Sequence, residues 1–365
     1  MEHYLLREAC FACTTPYQIL GAISITLGYK LDADLYIFGM FPNYDEIAAR
    51  LNKYRVFANI YSVDCSKIRV SNRIEVFKQM LFANETVSFF LPENVAYSYY
   101  YSSSNAIVKT IMHQVLLSRY PSMQKILYED GIGTYTSRSH IFQSSLLMKI
   151  SNTLLGRNLD APEKTNIVAN YPQLVDLPKE LANCYIGKMP MLPLNETTIN
   201  MLEDVFSVSK ERKIKEKYII FDTYRFNAKR TMMEELSLLD QCYTFISSIV
   251  GKSNIICKPH PRSNSVSKAD LTHYLYQEIP MEVLYASMQD LNERVLIAHT
   301  SSAVFTPKIL FDKEPKIICL HNIVNNNRAS SIFEEVYKKF KSIYSEQSKL
   351  VAPKSFDELE KELLV

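Results

Sequence analysis

Two adjacent carboxylates, Glu129 and Asp130, end an apolar run of Ile126, Leu127 and Tyr128, and Gly131 and Gly133 follow directly. Only 8 glycines occur in 365 residues, so two placed this close mark a stretch where the backbone must stay open. Crowded carboxylates raise one another's pKa, which suits a general base working near neutrality. Glycine behind them lets a substrate approach the main chain closely. An exposed turn is the plain alternative. Three further apolar runs end on polar clusters: Thr14 and Thr15 in CTTPYQ, Lys258 to Arg262 in CKPHPR, and His299, Thr300, Ser301 and Ser302 in AHTSSAVF. Pro259 and Pro261 fix the backbone on both sides of His260, with cations on each flank, an arrangement suited to an anionic ligand. Thr14-Thr15-Pro16 and Ser301-Ser302 also read as ordinary helix caps.

The elements that must position these residues alternate between short apolar runs and longer amphipathic segments, the pattern of an α/β protein with mostly parallel sheets. EACFACT, ADLYIFGMF and NIYSVDC read as the first three strands, separated by helices over TPYQILGAISITLGY and YDEIAARLNKYRVF. SNAIVKTIMHQVLLSRY reads as a helix opened by a serine/asparagine cap, and it delivers the chain to QKILYEDG. IGKMPMLPLNETT, with two prolines and little periodicity, reads as a connector. Beyond it come strands in KYIIFDTY, SNIICKPHPR, RVLIAHTSS and PKIICLHN, with helices in MMEELSLLDQCYTFISSIV, PMEVLYASMQDL and AVFTPKILF. Two Rossmann-like domains, residues 1–190 and 191–365, are therefore expected to face a cleft. In open α/β sheets ligands bind at the carboxyl ends of the strands, where all four clusters fall.

Composition excludes several classes. A hydrophobic content of 47% with 22% charged residues describes a globular chain, and a net charge of +2 is too balanced for a nucleic-acid binder. The N-terminus has charges scattered through it and reads as neither a signal peptide nor a membrane span. The 7 cysteines are odd in number and several lie in apolar runs, as buried reduced thiols of a cytoplasmic protein would. Cys10-x-x-Cys13 lacks the second ligand pair a zinc site needs, leaving a redox pair as the functional reading. Asp32-Ala33-Asp34 mimics a metal-binding Asp-x-Asp, but it precedes a strand, away from the crevice, so no metal is expected. The aromatic run YSYYYSSS reads as a loop, packed or exposed, whose rings could stack on a sugar. SIFEEVYKKFKSIYSEQSK is helical, with Lys338, Lys339 and Lys341 beside Phe333, Tyr337, Phe340 and Tyr344. It reads either as an aromatic face packed on the fold or as a basic helix lying peripherally on the inner membrane surface.

A strand-end Glu-Asp-Gly, a later His-Pro and a still later Ser-Ser resemble the motifs shared by bacterial sialyltransferases. TPYQILGAIS, EDGIGTY and KPHPR look most like glycosyltransferase family 52, the lipooligosaccharide and capsule sialyltransferases, related to bacterial polysialyltransferases. The resemblance implies a GT-B fold and a metal-independent, inverting transfer of sialic acid from CMP-sialic acid to a glycan hydroxyl, with no other cofactor. By that likeness His260 contacts the CMP phosphate and assists its departure, Ser301 and Ser302 hold the same phosphate, and Glu282 holds the ribose. Thr15, Gly131, Lys258, Pro261, Arg262 and Thr300 complete the donor site. Asp130 is the preferred base, then Glu129, then the acids Asp222, Glu234 and Glu235 of the FDTYRFNAKRTMMEE loop.

Other GT-B readings are a nucleotide-sugar 2-epimerase, which needs no acceptor, and a glycerophosphate transferase. A non-catalytic glycan-binding protein is the third. The sequence leaves acceptor, linkage and oligomeric state open, a homodimer included.

Overall fold

Strands buried on both faces must be apolar along their whole length, and such strands sit inside parallel sheets covered by helices. This chain forms two parallel sheets, and the most buried of their strands follow that pattern. The computed structural model describes residues 4–68, 73–103, 106–137, 165–208, 213–223, 230–261, 263, 267, 269, 271, 274–275, 278–324 and 327–364. They form two compact units, Met1–Val205 and Phe206–Val365.

The first unit holds a seven-stranded sheet of β1 (Leu5–Cys13), β2 (Ala33–Phe38), β3 (Asn59–Val63), β4 (Val95–Ser102), β5 (Gln124–Tyr128), β6 (Thr165–Ala169) and β7 (Ile186–Lys188). Their spatial order is β3-β2-β1-β4-β5-β6-β7, and every pairing is parallel. Order reverses between β1 and β4, so a crevice opens beyond the carboxyl ends of those two strands. The helices are α1 (Pro16–Tyr29), α2 (Tyr44–Asn52), α3 (Arg73–Leu81), α4 (Ala83–Val87), α5 (Ile107–Arg119) and α6 (Glu196–Val205).

The second unit holds a five-stranded parallel sheet of β8 (Tyr218–Phe221), β9 (Ile255–Lys258), β10 (Val295–Ala298), β11 (Lys316–Cys319) and β12 (Leu350–Val351). Their order is β12-β11-β10-β8-β9, which reverses between β8 and β10. Its helices are α7 (Arg230–Val250), α8 (Met281–Ser287), α9 (Thr306–Phe311), α10 (Asn327–Lys341) and α11 (Phe356–Leu364). β8, β9 and β10 are buried at all of their positions. The expected α/β class, with two Rossmann-like parallel sheets, is what the chain adopts.

Several local expectations are corrected. YSYYYS forms no loop: it is β4, an inner strand paired with β1 on one side and β5 on the other. Two of its hydroxyls are satisfied inside the protein, Tyr97 donating to Asp34 at 2.7 Å and Tyr100 to the Lys109 carbonyl at 2.8 Å. The connector after residue 185 begins with β7, which pairs with β6. α5 starts at Ile107 with Ala106 in the cap position and no side-chain cap; Ser104 and Asn105 lie outside the described residues.

Cys10 and Cys13 are both buried in β1 and free. Three positions apart in a strand, they point to opposite faces and cannot pair. Burial pushes the Cys10 thiol well up, and the Cys13 thiol up to about 11. Asp34 is fully buried at the start of β2, accepting from Tyr97 at 2.7 Å and Asn59 at 2.9 Å, with Arg7 at 3.4 Å. Its oxygens are committed to this packing. α10 turns Phe333 and Phe340 onto Phe305, with ring centroids 5.4 and 5.0 Å away, so its aromatic face belongs to the core. Among the described residues no helix is long and apolar enough to cross a membrane.

Candidate active site

In the first unit the polar residues converge beyond β1, β4 and β5. Thr15 caps α1, its hydroxyl accepting the Gln18 N–H at 3.3 Å, and Pro16 opens the helix, so the cap reading of this stretch is correct. That turn directs Tyr17 and Gln18 across to the acids more than a hundred residues later. The Tyr17 hydroxyl donates to Glu129 Oε1 at 2.8 Å, the Asn170 N–H donates to Oε2 at 2.9 Å, and the Tyr135 hydroxyl donates to the same Oε2. Glu129 is 1% exposed. Burial raises its carboxyl above the usual range against the pull of Tyr135, Asn170 and Tyr17.

Asp130 is only half-buried. Its N–H donates to the Thr134 hydroxyl at 2.9 Å, and its two carboxylate oxygens each lie 3.2 Å from the Gln18 amide nitrogen. Its carboxyl is also raised, first by burial, with the Lys109 ammonium and then the Gln18 hydrogen bond opposing. Lys109, on α5 and 1% exposed, donates to Gln18 Oε1 at 2.8 Å. Burial lowers its ammonium to about 8, Cys13 and Asp130 pulling the other way. Gly131 takes a left-handed φ of 63°, and a Cβ there would stand 3.7 Å from the Tyr17 ring. The adjacent acids thus separate into one held deep inside and one at the accessible edge, which is what a proton-transferring group requires.

In the second unit Lys258 ends β9 and is nearly buried, donating to the Ile279 carbonyl at 2.7 Å. Burial lowers its ammonium to about 8 against the attraction of Glu282. Glu282, in the first turn of α8, has its carboxyl raised by burial, with Lys258 opposing. The two residues form one electrostatic pair. His260 is half-buried and Pro261 exposed, the His260 carbonyl taking the Ser263 N–H at 2.9 Å; Arg262 lies outside the described residues. Thr300 and Ser301 are half-buried and Ser302 is exposed. Ser301 precedes a three-residue 3₁₀ turn, Ser302–Val304, without a side-chain cap bond, so no α-helix begins on the serines themselves.

The loop acids fall differently from expectation. Asp222 is buried past β8 and its Oδ1 accepts the Thr223 N–H at 2.9 Å, while Glu234 and Glu235 lie on α7. Glu235 stands 3.5 Å from Nδ1 of buried His299, whose Nε2 meets the Val324 carbonyl at 2.8 Å. A carbonyl only accepts, so the hydrogen sits on Nε2. Burial lowers this imidazole to about 4.

Tyr17, Gln18, Lys109, Tyr135 and Asn170 carry no role in the sequence reading. TPYQ was noticed as a polar cluster, yet nothing local tells that Tyr17 and Gln18 reach residues 129 and 130.

No family model matches the chain, and no curated protein matches it. Among solved structures, the UDP-N-acetylglucosamine 2-epimerase from Rickettsia bellii is similar over 99% of this chain and 95% of that one, at 13% identity and a TM-score of 0.43. A likeness of that degree carries no argument about site or activity. The expectation of a family 52 sialyltransferase using CMP-sialic acid, with its capsule and lipooligosaccharide setting, is corrected. No such family is found, and the solved structure named above is a different enzyme, a nucleotide-sugar 2-epimerase. The expectation rested on four short motifs in order, TPYQILGAIS, EDGIGTY, KPHPR and Ser-Ser, and not on a likeness along the whole chain.

Proposed function

We propose that the chain is an enzyme acting on a nucleotide sugar, and that its reaction is an acceptor-free inversion at a sugar C–H centre, a 2-epimerisation. The observation that supports this most is the half-buried Asp130 with its raised carboxyl, beside a Tyr17 hydroxyl that donates to Glu129. Inversion at carbon takes one proton away and returns one. A proton acceptor and a phenolic donor at the same sheet edge are the groups such a step needs. The residues assigned to the nucleotide are Lys258, His260, Glu282, Thr300, Ser301 and Ser302, supported by their place beyond the parallel strands of the second unit. Thr15, Gly131, Pro261 and Arg262 stay in the proposal as substrate-binding residues, with no further cofactor.

A reducing, cytoplasmic setting belongs to the same proposal and is supported by seven free cysteines. The aromatic side of α10 is used in packing, so attachment to a membrane surface forms no part of it.

The test is incubation of the protein with single nucleotide sugars in D₂O, without any acceptor, read by NMR. The expected product is an epimer carrying deuterium at the inverted carbon. Absence of exchange and of any epimer across uridine, cytidine and guanosine sugars would overturn the reading.

A further inference from the structure

From α1, Gln18 reaches the turn after β1, helix α5 and the turn after β5 through one side chain. Its carbonyl oxygen receives the Thr14 N–H at 2.7 Å, the Thr14 hydroxyl at 3.0 Å and the Lys109 ammonium at 2.8 Å. A backbone N–H and an ammonium can only donate. Turning the amide over would set its NH₂ group against both of them, so the carboxamide has one permitted orientation. Gln18 and Lys109 are each 1% exposed, which leaves no room for water to satisfy the flipped form. The amide nitrogen is thereby aimed at Asp130, 3.2 Å from each oxygen.

We propose that Gln18, locked by Thr14 and Lys109, is the positioning residue that fixes the Asp130 carboxylate in one orientation and favours its ionised form. This rests on Asp130 as the proton acceptor of the proposed reaction, though the device can be measured without turnover. The geometry supplies what opposes burial at this half-buried carboxyl, which burial raises. Gln18 supplies a donor to both oxygens, and Lys109 stands behind it as a cation whose charge reaches Asp130 through the polarised amide. Among the described residues, the other titratable groups near this chain of contacts are Cys13, Tyr128, whose hydroxyl lies 3.2 Å from the Cys13 sulfur and 3.1 Å from the Gln18 main-chain carbonyl oxygen, and the adjoining Glu129, already held by Tyr17 and Tyr135. The hydrogen bonds of the Tyr128 hydroxyl run to Cys13 and the Gln18 main chain, so the Gln18 amide is the side-chain donor at the Asp130 carboxylate.

The experiment uses full-length protein labelled at aspartate with ¹³C-carboxyl, the Asp130 signal being the one absent from Asp130→Asn. Its titration is followed in wild type, Gln18→Glu and Lys109→Met, with thermal melts confirming folding. In Gln18→Glu the new carboxylate still accepts from Thr14 and Lys109, so the fold is kept, but an oxygen now faces Asp130. The Asp130 carboxyl should rise by about one unit or more, a tenfold loss of ionised form at a pH below it. Lys109→Met, close in volume and uncharged, should raise it as well. The acid limb of any pH–rate profile should move with the titration. A folded Gln18→Glu whose Asp130 titrates as in wild type overturns the proposal; if that variant fails to fold, an unshifted Asp130 in Lys109→Met does so. A shifted titration with no nucleotide sugar turned over in any variant upholds the positioning role and rejects the reaction.

Discussion

Glu129 and Asp130 are neighbours in the chain with opposite surroundings, and their variants should separate accordingly. Glu129 takes three hydrogen bonds in a dry site. Its amide analogue would turn an NH₂ group towards donors, costing about 1–3 kcal/mol for the unsatisfied contacts. Glu129→Gln should therefore lower Tm. Asp130→Asn stays near wild type in Tm and lowers kcat by about 10²–10⁴-fold, the range for a lost general base. The comparison is made on epimer formation beside calorimetric melts. Full stability with lost activity in Glu129→Gln, and activity kept in Asp130→Asn, would give the proton role to Glu129. The two acids were legible as chemistry because they break an apolar run and precede glycine. Their partners were not: Tyr17 and Gln18 meet them across 112 positions of chain, and a contact of that span leaves no local pattern.

At the scale of elements, α1 must lie close to the segment following β7. A Cβ built on Gly28 would stand 2.3 Å from the Pro190 Cβ. Alanine would gain up to about 1 kcal/mol in helix propensity. Overlap with a proline ring that cannot rotate aside costs about 1–3 kcal/mol. The steric term wins, so Gly28→Ala should lower Tm, and adding Pro190→Ala should recover part of the loss. A Gly28→Ala protein more stable than wild type would show that α1 can shift without cost. Most strands were readable because continuous Ile, Val and Leu runs announce burial. β4 was missed because its apolar surface is tyrosine: YSYYYS carries a hydroxyl at every position and reads as polar until Asp34 and the Lys109 carbonyl are seen to receive those of Tyr97 and Tyr100.

For the molecule as a whole, stability against pH gathers the buried charges together. Lys109 and Lys258 have ammonium groups lowered from 10.5 to about 8. Between those limits the unfolded chain binds protons the native state has released, so these lysines make stability rise with pH across that window. Buried thiols such as Cys13, raised to about 11, act in the opposite sense, because the native state keeps protons the unfolded chain loses. The net curve mixes the two, and the difference between wild type and Lys109→Met isolates one lysine. Urea midpoints should show wild type gaining on the variant from about pH 8 to 10.5; a difference independent of pH would mean Lys109 titrates normally. The two-sheet plan was legible from the alternation of runs, because parallel sheets leave that mark on sequence, whereas strand order leaves none. Order has its own consequence. β1 is made before β4 yet lies beside it inside the sheet, and Ala9 waits in register for Tyr99. At about 5–20 residues per second, translation leaves that apolar edge without its neighbour for on the order of 10 s. The nascent chain should therefore emerge from the ribosome as a client for holdase chaperones, with its greatest need before the β4 tyrosines clear the exit tunnel.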